Sequence, residues 1–161
     1  MKQKESFCLI PCGKRKIWDQ NPELGPVRAD KAYIGIFHRL CQNYARTFFH
    51  HWGILSAKYG LLLPHDIVPG NYDLSFSDLH REAEIISISE LRKQAREKGV
   101  ISAKMIVMLG GKKFRPIVEE MFPECRDIQF PLLGSRGIGE MQKRLKDAVE
   151  HRKPIHQMIT K

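Results

Sequence analysis

The chain of 161 residues is 42% hydrophobic and 28% charged, a composition typical of one folded domain with a buried core. It contains no apolar run near the roughly 20 residues of a membrane helix, and the charged residues 1–5 precede an apolar run too short for a secretory signal. We therefore expect a cytoplasmic protein with no membrane partner, and its formal net charge of +9 favours a phosphate-rich partner such as a nucleotide or nucleic acid.

The first part of the sequence predicts two buried strands separated by one amphipathic helix. An apolar run predicts a strand over 7–10, and several turn-forming residues predict an irregular stretch over 17–30. From 36 to 48 apolar residues recur at spacings of three and four, which predicts a helix. Residues 51–55 predict the second strand.

The middle of the sequence predicts a long loop, a long helix and a third strand. Residues 61–76 contain two prolines and a glycine and predict a loop, and loops of this length often carry function. Ser77 is predicted to cap a helix over 77–98, which would stop at Gly99. The continuous apolar run in 104–109 predicts the clearest buried strand.

The last part of the sequence predicts a further helix, strand and helix. Gly110 and Gly111 are predicted to open a helix, and 127–130 to form a short fourth strand. A turn-rich loop over 131–137 then leads into a helix over 138–151, whose apolar residues form one stripe.

The alternation of strands and helices predicts a single layered α/β domain over 1–161, with a mostly parallel sheet of about four strands flanked by helices. Right-handed crossovers would place the loops after all these strands at one edge of the sheet, where ligands bind in parallel sheets. The ligand-binding residues expected at this edge are Gly13, Lys14, Ser56, Tyr59, Gly60, Gly110, Gly111 and Gly134.

An anion-binding pocket is the hypothesis for this edge. Lys14 and Lys58 stand at predicted strand ends, where we expect them to come together and contact phosphate or carboxylate. Gly110 and Gly111 precede a helix whose free amides and positive dipole also favour an anion. The alternative interpretation of these glycines, and of the loop with Gly134, is a tight turn or a flexible connection.

Two residues are candidates for catalysis in addition to Lys58. Cys12 is a candidate nucleophile because the neighbouring Lys14 and Arg15 should favour its thiolate, although free cysteines are commonly inert packing groups. Asp73 is a candidate base or reader of a base edge, although aspartate in such loops more often caps a turn.

The sequence predicts neither a metal site nor a cofactor. The four cysteines fit reduced thiols in the cytoplasm, and no Cys/His pairs have the spacing of zinc ligands. The glycine-rich turns match neither the P-loop nor the dinucleotide-binding pattern. The histidines, including His38, His50, His51 and His80, show no partner pattern and are expected to be structural.

Three ordered blocks of the sequence resemble a small bacterial and phage domain family of unknown function. They are Cys8-Leu9-Ile10-Pro11-Cys12-Gly13-Lys14-Arg15-Lys16, Ala32-Tyr33-Ile34-Gly35-Ile36-Phe37, and Ile54-Leu55-Ser56-Ala57-Lys58-Tyr59-Gly60-Leu61-Leu62 continuing through Tyr72-Asp73-Leu74. The same blocks are similar, more distantly, to the peroxide-stress YaaA family, and the Pro-Cys-x-x-Lys loop resembles the core domain of archaeosine synthases, which modify a deazaguanine base in tRNA.

The resemblance implies further ligand-binding positions. The sequence itself departs from the YaaA pattern in two places. The residues that map onto family motif positions are Lys14, Tyr33, Gly35, Ser56, Tyr59, Gly60 and Tyr72. Cys12 has no cysteine counterpart in the YaaA motif. The chain also has no room for the helix-hairpin-helix insertion through which the YaaA family is implied to bind DNA.

These observations lead to one functional hypothesis and two alternatives. The hypothesis is a domain that processes a nucleobase, nucleotide or nucleic acid, as a base-modifying or hydrolytic enzyme, with phosphate held by Lys14 and Lys58. Tyr33, Tyr59 or Tyr72 would stack on a base. The alternatives are a non-enzymatic basic DNA- or RNA-binding stress protein, and a phage or host interaction protein whose cleft is a structural remnant.

Overall fold

The computed structural model describes residues 5–158, which form a central five-stranded sheet and a separate two-stranded ribbon. The strands of the central sheet are β1 (Ser6–Pro11), β3 (Trp52–Ser56), β4 (Gly60–Leu62), β6 (Met105–Met108) and β7 (Asp127–Gln129). The ribbon pairs β2 (Val27–Arg28) with β5 (Ile67–Val68) in antiparallel fashion. The order of the strands across the central sheet is β4-β3-β1-β6-β7.

The predicted α/β class and the mostly parallel sheet are confirmed. β1 pairs in parallel with β3 on one side and with β6 on the other, and β6 pairs in parallel with β7. The sheet has one strand more than expected because the chain turns back after β3, and β4 pairs antiparallel with it. The carboxyl ends of the four parallel strands therefore share one edge.

Helices cover both faces of the sheet. They are α1 (Ile17–Gln20), α2 (Ala29–Ala32), α3 (Ile36–Phe48), α4 (Ile88–Glu97), α5 (Arg115–Met121) and α6 (Ile138–His151), with 3-10 turns at Leu79–Glu84 and Lys112–Phe114. α3 packs against α6 on one face, and α4 packs against α5 on the other. Among the described residues, no helix has the length and hydrophobicity needed to cross a bilayer.

The central strand β1 shows why the sheet lies between two helical layers. Its successive side chains point to opposite faces, so Cys8 and Ile10 enter the core beneath α3, while Phe7 and Leu9 enter the core beneath α4. All four residues are completely buried. Such an unbroken apolar run is characteristic of a parallel strand covered on both sides.

Two stretches predicted to be irregular contain short regular elements. The segment 17–30 holds α1, β2 and the start of α2, and the segment 61–76 holds most of β4 and all of β5. These predictions were wrong because the elements are two to four residues long and owe their stability to tertiary pairing. β5, for example, lies in the long loop and pairs with the equally short β2.

The prediction of a single helix over 77–98 was also wrong, because a 3-10 turn and a separate helix, α4, occupy this stretch. Asp78 accepts a hydrogen bond from the Ser75 amide at 2.9 Å, a local turn that competes with helix formation. The amide of Ile86 then bonds to the carbonyl of Ala57 at 2.8 Å, which holds the chain extended. α4 begins only afterwards, capped by Ser87 rather than Ser77.

Candidate functional site

The loops after β1 and β3 meet at the carboxyl edge of the sheet. The Cys12 amide continues the strand pairing by donating to the Leu55 carbonyl at 3.2 Å, which brings the two loops side by side. A cleft of about 270 Å³ opens beside the first loop. Residues lining this cleft include Cys12, Gly13, Lys14, Lys16, Asp73 and Lys113.

Lys16 is the most unusual residue of the cleft, and it was not among the predicted site residues. It is only 3% exposed, and its Nζ lies 4.4 Å from the centre of the Tyr72 ring. Nζ donates one hydrogen bond, to the Lys14 carbonyl at 3.1 Å. No carboxylate in residues 5–158 lies within 4.0 Å of this ammonium group.

The surroundings of Lys16 determine its protonation. Burial lowers the pKa of Lys16, because desolvation disfavours its charged form, and the nearby Cys12, Asp19 and Asp73 oppose this effect only in part. An alkylammonium that is buried without a carboxylate partner is rare in proteins.

Local backbone structure holds Lys16 in place. Its amide donates to Asp19 Oδ2 at 2.9 Å at the start of α1, and its backbone forms an antiparallel bridge with Tyr33. The Ile34 amide bonds to the Arg15 carbonyl at 3.1 Å. Two signals in the sequence pointed to this lysine: it ends the first block that resembles the family, and it precedes the apolar pair Ile17-Trp18, which packs in the core.

Buried hydroxyl groups lie beneath the cleft. Ser56 is fully buried, and its Oγ accepts hydrogen bonds from the amides of Lys58 at 3.3 Å and Tyr59 at 3.1 Å. Because both lone pairs of Oγ are then used, its own hydrogen is donated to the Tyr72 hydroxyl, 2.8 Å away. The Tyr72 hydroxyl in turn shares a short hydrogen bond with the Tyr33 hydroxyl.

The tyrosines are mostly parts of this framework rather than free stacking surfaces. Burial raises the pKa of Tyr33 and of Tyr72 well above the ordinary value, so both phenols remain protonated. Tyr33 is only 2% exposed, which corrects the expectation that it stacks on a base. Tyr72 is also buried, and Tyr59 is half-buried and packs edge-on against it with ring centres 5.2 Å apart.

Cys12 does not have the activated thiolate that its basic neighbours suggested. Burial raises the pKa of its thiol, and this effect exceeds the opposing influence of the Lys16 charge, the Tyr72 hydroxyl and the Ala57 amide. Lys14 and Arg15 are exposed, and water screens their charges. The thiol is therefore protonated at neutral pH, and the charge with the largest influence on it is that of Lys16, not those of the two residues that the sequence indicated.

Asp73 and Lys58, the other two predicted catalytic residues, are both exposed. Asp73 is exposed and lines the cleft, and its carbonyl accepts a hydrogen bond from Arg81. Lys58 is also exposed, with its Nζ 6.0 Å from the Tyr72 ring centre. Lys14 and Tyr72 both line an adjoining cleft of about 440 Å³, so both predicted lysines lie near the same tyrosine, but Lys58 is not among the residues lining either cleft.

Two of the predicted ligand-binding glycines have packing roles. Gly60 has a φ of +79°, and a Cβ at this position would lie 2.1 Å from Gln94 Oε1. A Cβ at Gly110 would lie 2.6 Å from a Phe114 ring carbon. Neighbouring side chains therefore occupy the space that a ligand would need at these two glycines.

The remaining predicted glycines lie in different surroundings. Gly13 lines the cleft, Gly35 precedes α3 as its N-cap, and Gly111 precedes the 3-10 turn that carries Lys113. Gly134 follows β7, two strands away from β1, and is not among the residues lining either cleft. It does not belong to the candidate site.

His38 fixes the turn that carries Cys12. Its Nδ1 donates to the Pro11 carbonyl at 2.8 Å, and its Nε2 accepts from Gln42 Nε2 at 2.9 Å, since that amide also donates to the Asp30 carbonyl. The ring is therefore neutral. Its expected structural role is consistent with this arrangement, in which the imidazole ties α3 to the end of β1.

This histidine should make the protein sensitive to acid. Burial lowers the pKa of His38 to about 4 from an ordinary 6.5, so the unfolded chain binds the proton first as the pH falls. We expect the free energy of unfolding to decrease by about 3 kcal/mol between pH 6.5 and 4 through this residue, since one pKa unit corresponds to about 1.4 kcal/mol. Urea denaturation at several pH values measures the slope.

The control for this prediction is a second histidine. His38→Gln should be less stable at pH 7 and show a flatter acid limb, whereas the exposed His80→Gln should keep the wild-type profile. A wild-type slope in His38→Gln would contradict the assignment.

The structure offers one group with the geometry of metal ligands among residues 5–158. It consists of Asp147, Glu150 and His151 on α6, and it lies outside the residues lining the cleft. His151 and Glu150 are exposed, and acidic clusters of this kind are common on protein surfaces.

Comparison with other proteins defines the family of the chain. No solved structure shows significant similarity to it. The chain is 50% identical over 146 residues to the uncharacterized protein YfjM of Bacillus subtilis strain 168, an alignment that covers 91% of this chain and 96% of YfjM. The model of DUF6884, a family of unknown function, matches residues 7–147, and the chain therefore belongs to this family.

Proposed function

We propose that this protein is an enzyme that acts on a nucleobase or nucleotide, with a phosphate group of the ligand held beside Lys16. The observation that carries the proposal is the burial of this lysine without a carboxylate partner among residues 5–158. Removing an ammonium group from water costs several kcal/mol unless an opposite charge compensates it. A bound phosphate supplies that charge.

The other cations of the cleft support an anionic ligand. Lys14 and Lys113 line the same cleft as Lys16 and remain exposed, so they can attract a phosphate without the cost of being desolvated beforehand. Lys113 Nζ lies 3.4 Å from Ser75 Oγ, which also belongs to a residue lining the cleft. Lys58 adds a further positive charge, with its Nζ 6.0 Å from the Tyr72 ring centre.

The acidic and amide groups nearby favour a nucleotide over inorganic phosphate. The adjoining cleft shares Lys14 and Asp73 with the first and adds Asp19 and Asn71. Carboxylate and amide groups can bond to the N–H groups and acceptors of a base edge or to ribose hydroxyls. We infer that the phosphate lies in the first cleft and the nucleoside in the second.

The similarity of the sequence blocks to the YaaA family and to the archaeosine synthase core points to the same class of chemistry. Those blocks contain Lys14, Ser56, Tyr59 and Tyr72, which surround the cleft or form the framework beneath it. We therefore favour a base-modifying reaction on a nucleotide or nucleic acid over a purely structural role for the cleft.

Replacing Lys16 tests the proposal. Isothermal titration of wild-type protein with a panel of nucleoside monophosphates should detect binding, and Lys16→Met should weaken it by about tenfold to a hundredfold, since a charge-assisted hydrogen bond contributes roughly 1.5–3 kcal/mol. The variant should fold, because replacing a buried, unpaired charge by an apolar side chain is often neutral or stabilising. Lys146→Met, at an exposed lysine of α6, is the matched control.

Salt dependence separates the proposal from its alternative. If the protein is a non-enzymatic nucleic-acid-binding protein, affinity for DNA or RNA should fall steeply with salt and decline by similar amounts in Lys16→Met and Lys146→Met. That result, together with no nucleotide binding by the wild type, would show that the cleft is not the functional site.

A further inference from the structure

We propose that Lys16 is the covalent nucleophile of this site, and that its amine forms an imine with a carbonyl carbon of a phosphate-bearing substrate. The inference rests on the proposed function: with a carbonyl substrate, Lys14 and Lys113 would hold the phosphate in the cleft, and Lys16, after releasing its proton, would face the carbonyl carbon. It goes further because it names the electrophile, a carbonyl carbon, and the intermediate, an imine.

The geometry around Lys16 is suited to nucleophilic attack. Lys16 lines the cleft, yet its side chain is held in place, because the residue is buried and the Tyr72 ring lies 4.4 Å from Nζ. A single hydrogen bond to the Lys14 carbonyl occupies one of its three hydrogens. The remaining directions of the nitrogen are free of protein acceptors within residues 5–158, so the lone pair of the neutral amine can point at a bound carbonyl.

The protonation state required for attack is also favoured. Only the neutral amine is a nucleophile, and desolvation lowers the pKa of Lys16, with the neighbouring Lys14 acting in the same direction. Buried lysines in such settings are used as Schiff-base residues for this reason. Lys14, Lys58 and Lys113, by contrast, are exposed side chains.

Cys12 gives the reaction a proton donor. Attack by Nζ forms the C–N bond as the carbonyl electron pair moves to oxygen, and a proton passes from nitrogen to that oxygen. The Cys12 thiol, which lines the same cleft as Lys16 and is kept protonated by burial, then protonates the hydroxyl, which leaves as water. The nitrogen lone pair forms the C=N bond, and loss of the second nitrogen hydrogen restores the thiol.

Pyridoxal 5′-phosphate is a suitable probe because it carries a phosphate and an aldehyde on one small ring. At a substoichiometric dose, followed by borohydride reduction and peptide mapping, most of the adduct should lie on Lys16. The initial rate of imine formation should be roughly tenfold lower in Lys16→Met than in Lys146→Met, because Lys16→Met removes the lysine whose burial and position in the cleft favour attack. Lys16→Arg, which keeps the charge but cannot form an imine, should behave in the same way.

Pyridoxine 5′-phosphate, which lacks the aldehyde, separates this inference from the function on which it rests. It should compete with the probe and slow the alkylation of Cys12 by iodoacetamide. If it protects Cys12 while the reduced adduct is spread evenly over exposed lysines, the cleft binds phosphate but Lys16 is not the nucleophile, and the inference is overturned. If it neither competes nor protects, the anion site itself is absent and both proposals fail.

Discussion

Gly60→Ala is expected to destabilise the protein by about 3–5 kcal/mol. The left-handed backbone at this position, with a φ of +79°, disfavours any side chain by roughly 1–2 kcal/mol. The new methyl group would also overlap Gln94 Oε1 and Ile86 Cδ1, at 2.1 Å and 2.5 Å from the added carbon. Overpacking of this kind costs about 1–3 kcal/mol. Moving Gln94 would break its hydrogen bonds to the Leu61 amide and the Tyr59 carbonyl.

Thermal denaturation and urea titration measure this effect, with Gly70→Ala as the matched control. Gly70 has no atom within 4 Å of an added Cβ and no positive φ, so its substitution should leave stability unchanged or raise it slightly. For a chain of this size the loss at Gly60 corresponds to about 10 °C in melting temperature. Stability close to that of the wild type, combined with lost nucleotide binding, would instead support the original prediction that Gly60 contacts a ligand.

Ser56→Ala should have the second largest effect, a loss of about 2–4 kcal/mol. The substitution removes one oxygen that accepts from two backbone amides and donates to Tyr72. Each buried polar group left without a partner costs roughly 1–3 kcal/mol. The turn between β3 and β4 would lose its internal hydrogen bonds, and the Tyr72 ring, on which Lys16 rests, would lose the contact that orients it.

Ser56→Ala also tests whether the stability of the protein and ligand binding at the candidate site depend on the same hydrogen bonds. Chemical denaturation should show the loss in Ser56→Ala, whereas Ser102→Ala, at an exposed serine, should lie within about 0.5 kcal/mol of the wild type. At a temperature where Ser56→Ala is still folded, its nucleotide affinity should also be reduced. Wild-type stability in this variant would mean that the amides of Lys58 and Tyr59 have other partners.

The candidate site thus depends on a framework that is itself not reactive. Ser56, Tyr72 and Tyr33 are buried hydroxyl residues that bond to one another across three separate segments of the chain. They hold the loop after β3 against the loop after β1. Among residues 5–158 no buried side-chain nitrogen or oxygen lacks a hydrogen-bond partner, which explains how so polar a cluster can lie inside the protein.

Much of the fold could be predicted from local sequence patterns. The strand at 104–109 and the helices at 36–48 and 138–151 were correctly predicted. Each has either a continuous apolar run or a regular apolar stripe, and such a pattern can be recognised without knowing the rest of the fold. The parallel arrangement followed from the alternation of these elements. The general position of the site, at the strand carboxyl ends, followed from the handedness of the crossovers.

The amino-acid sequence by itself determined the layered α/β class and the edge of the sheet at which Cys12 and Ser56 emerge. Only the tertiary structure decided that Lys16 is buried, that Gly60 accommodates Gln94, and that the chain after β3 turns back as a fifth strand. The physical reason is the distance along the chain over which each property is determined. Periodicity reports which face of an element is apolar, whereas the burial of one lysine and the space beside one glycine depend on residues distant along the chain.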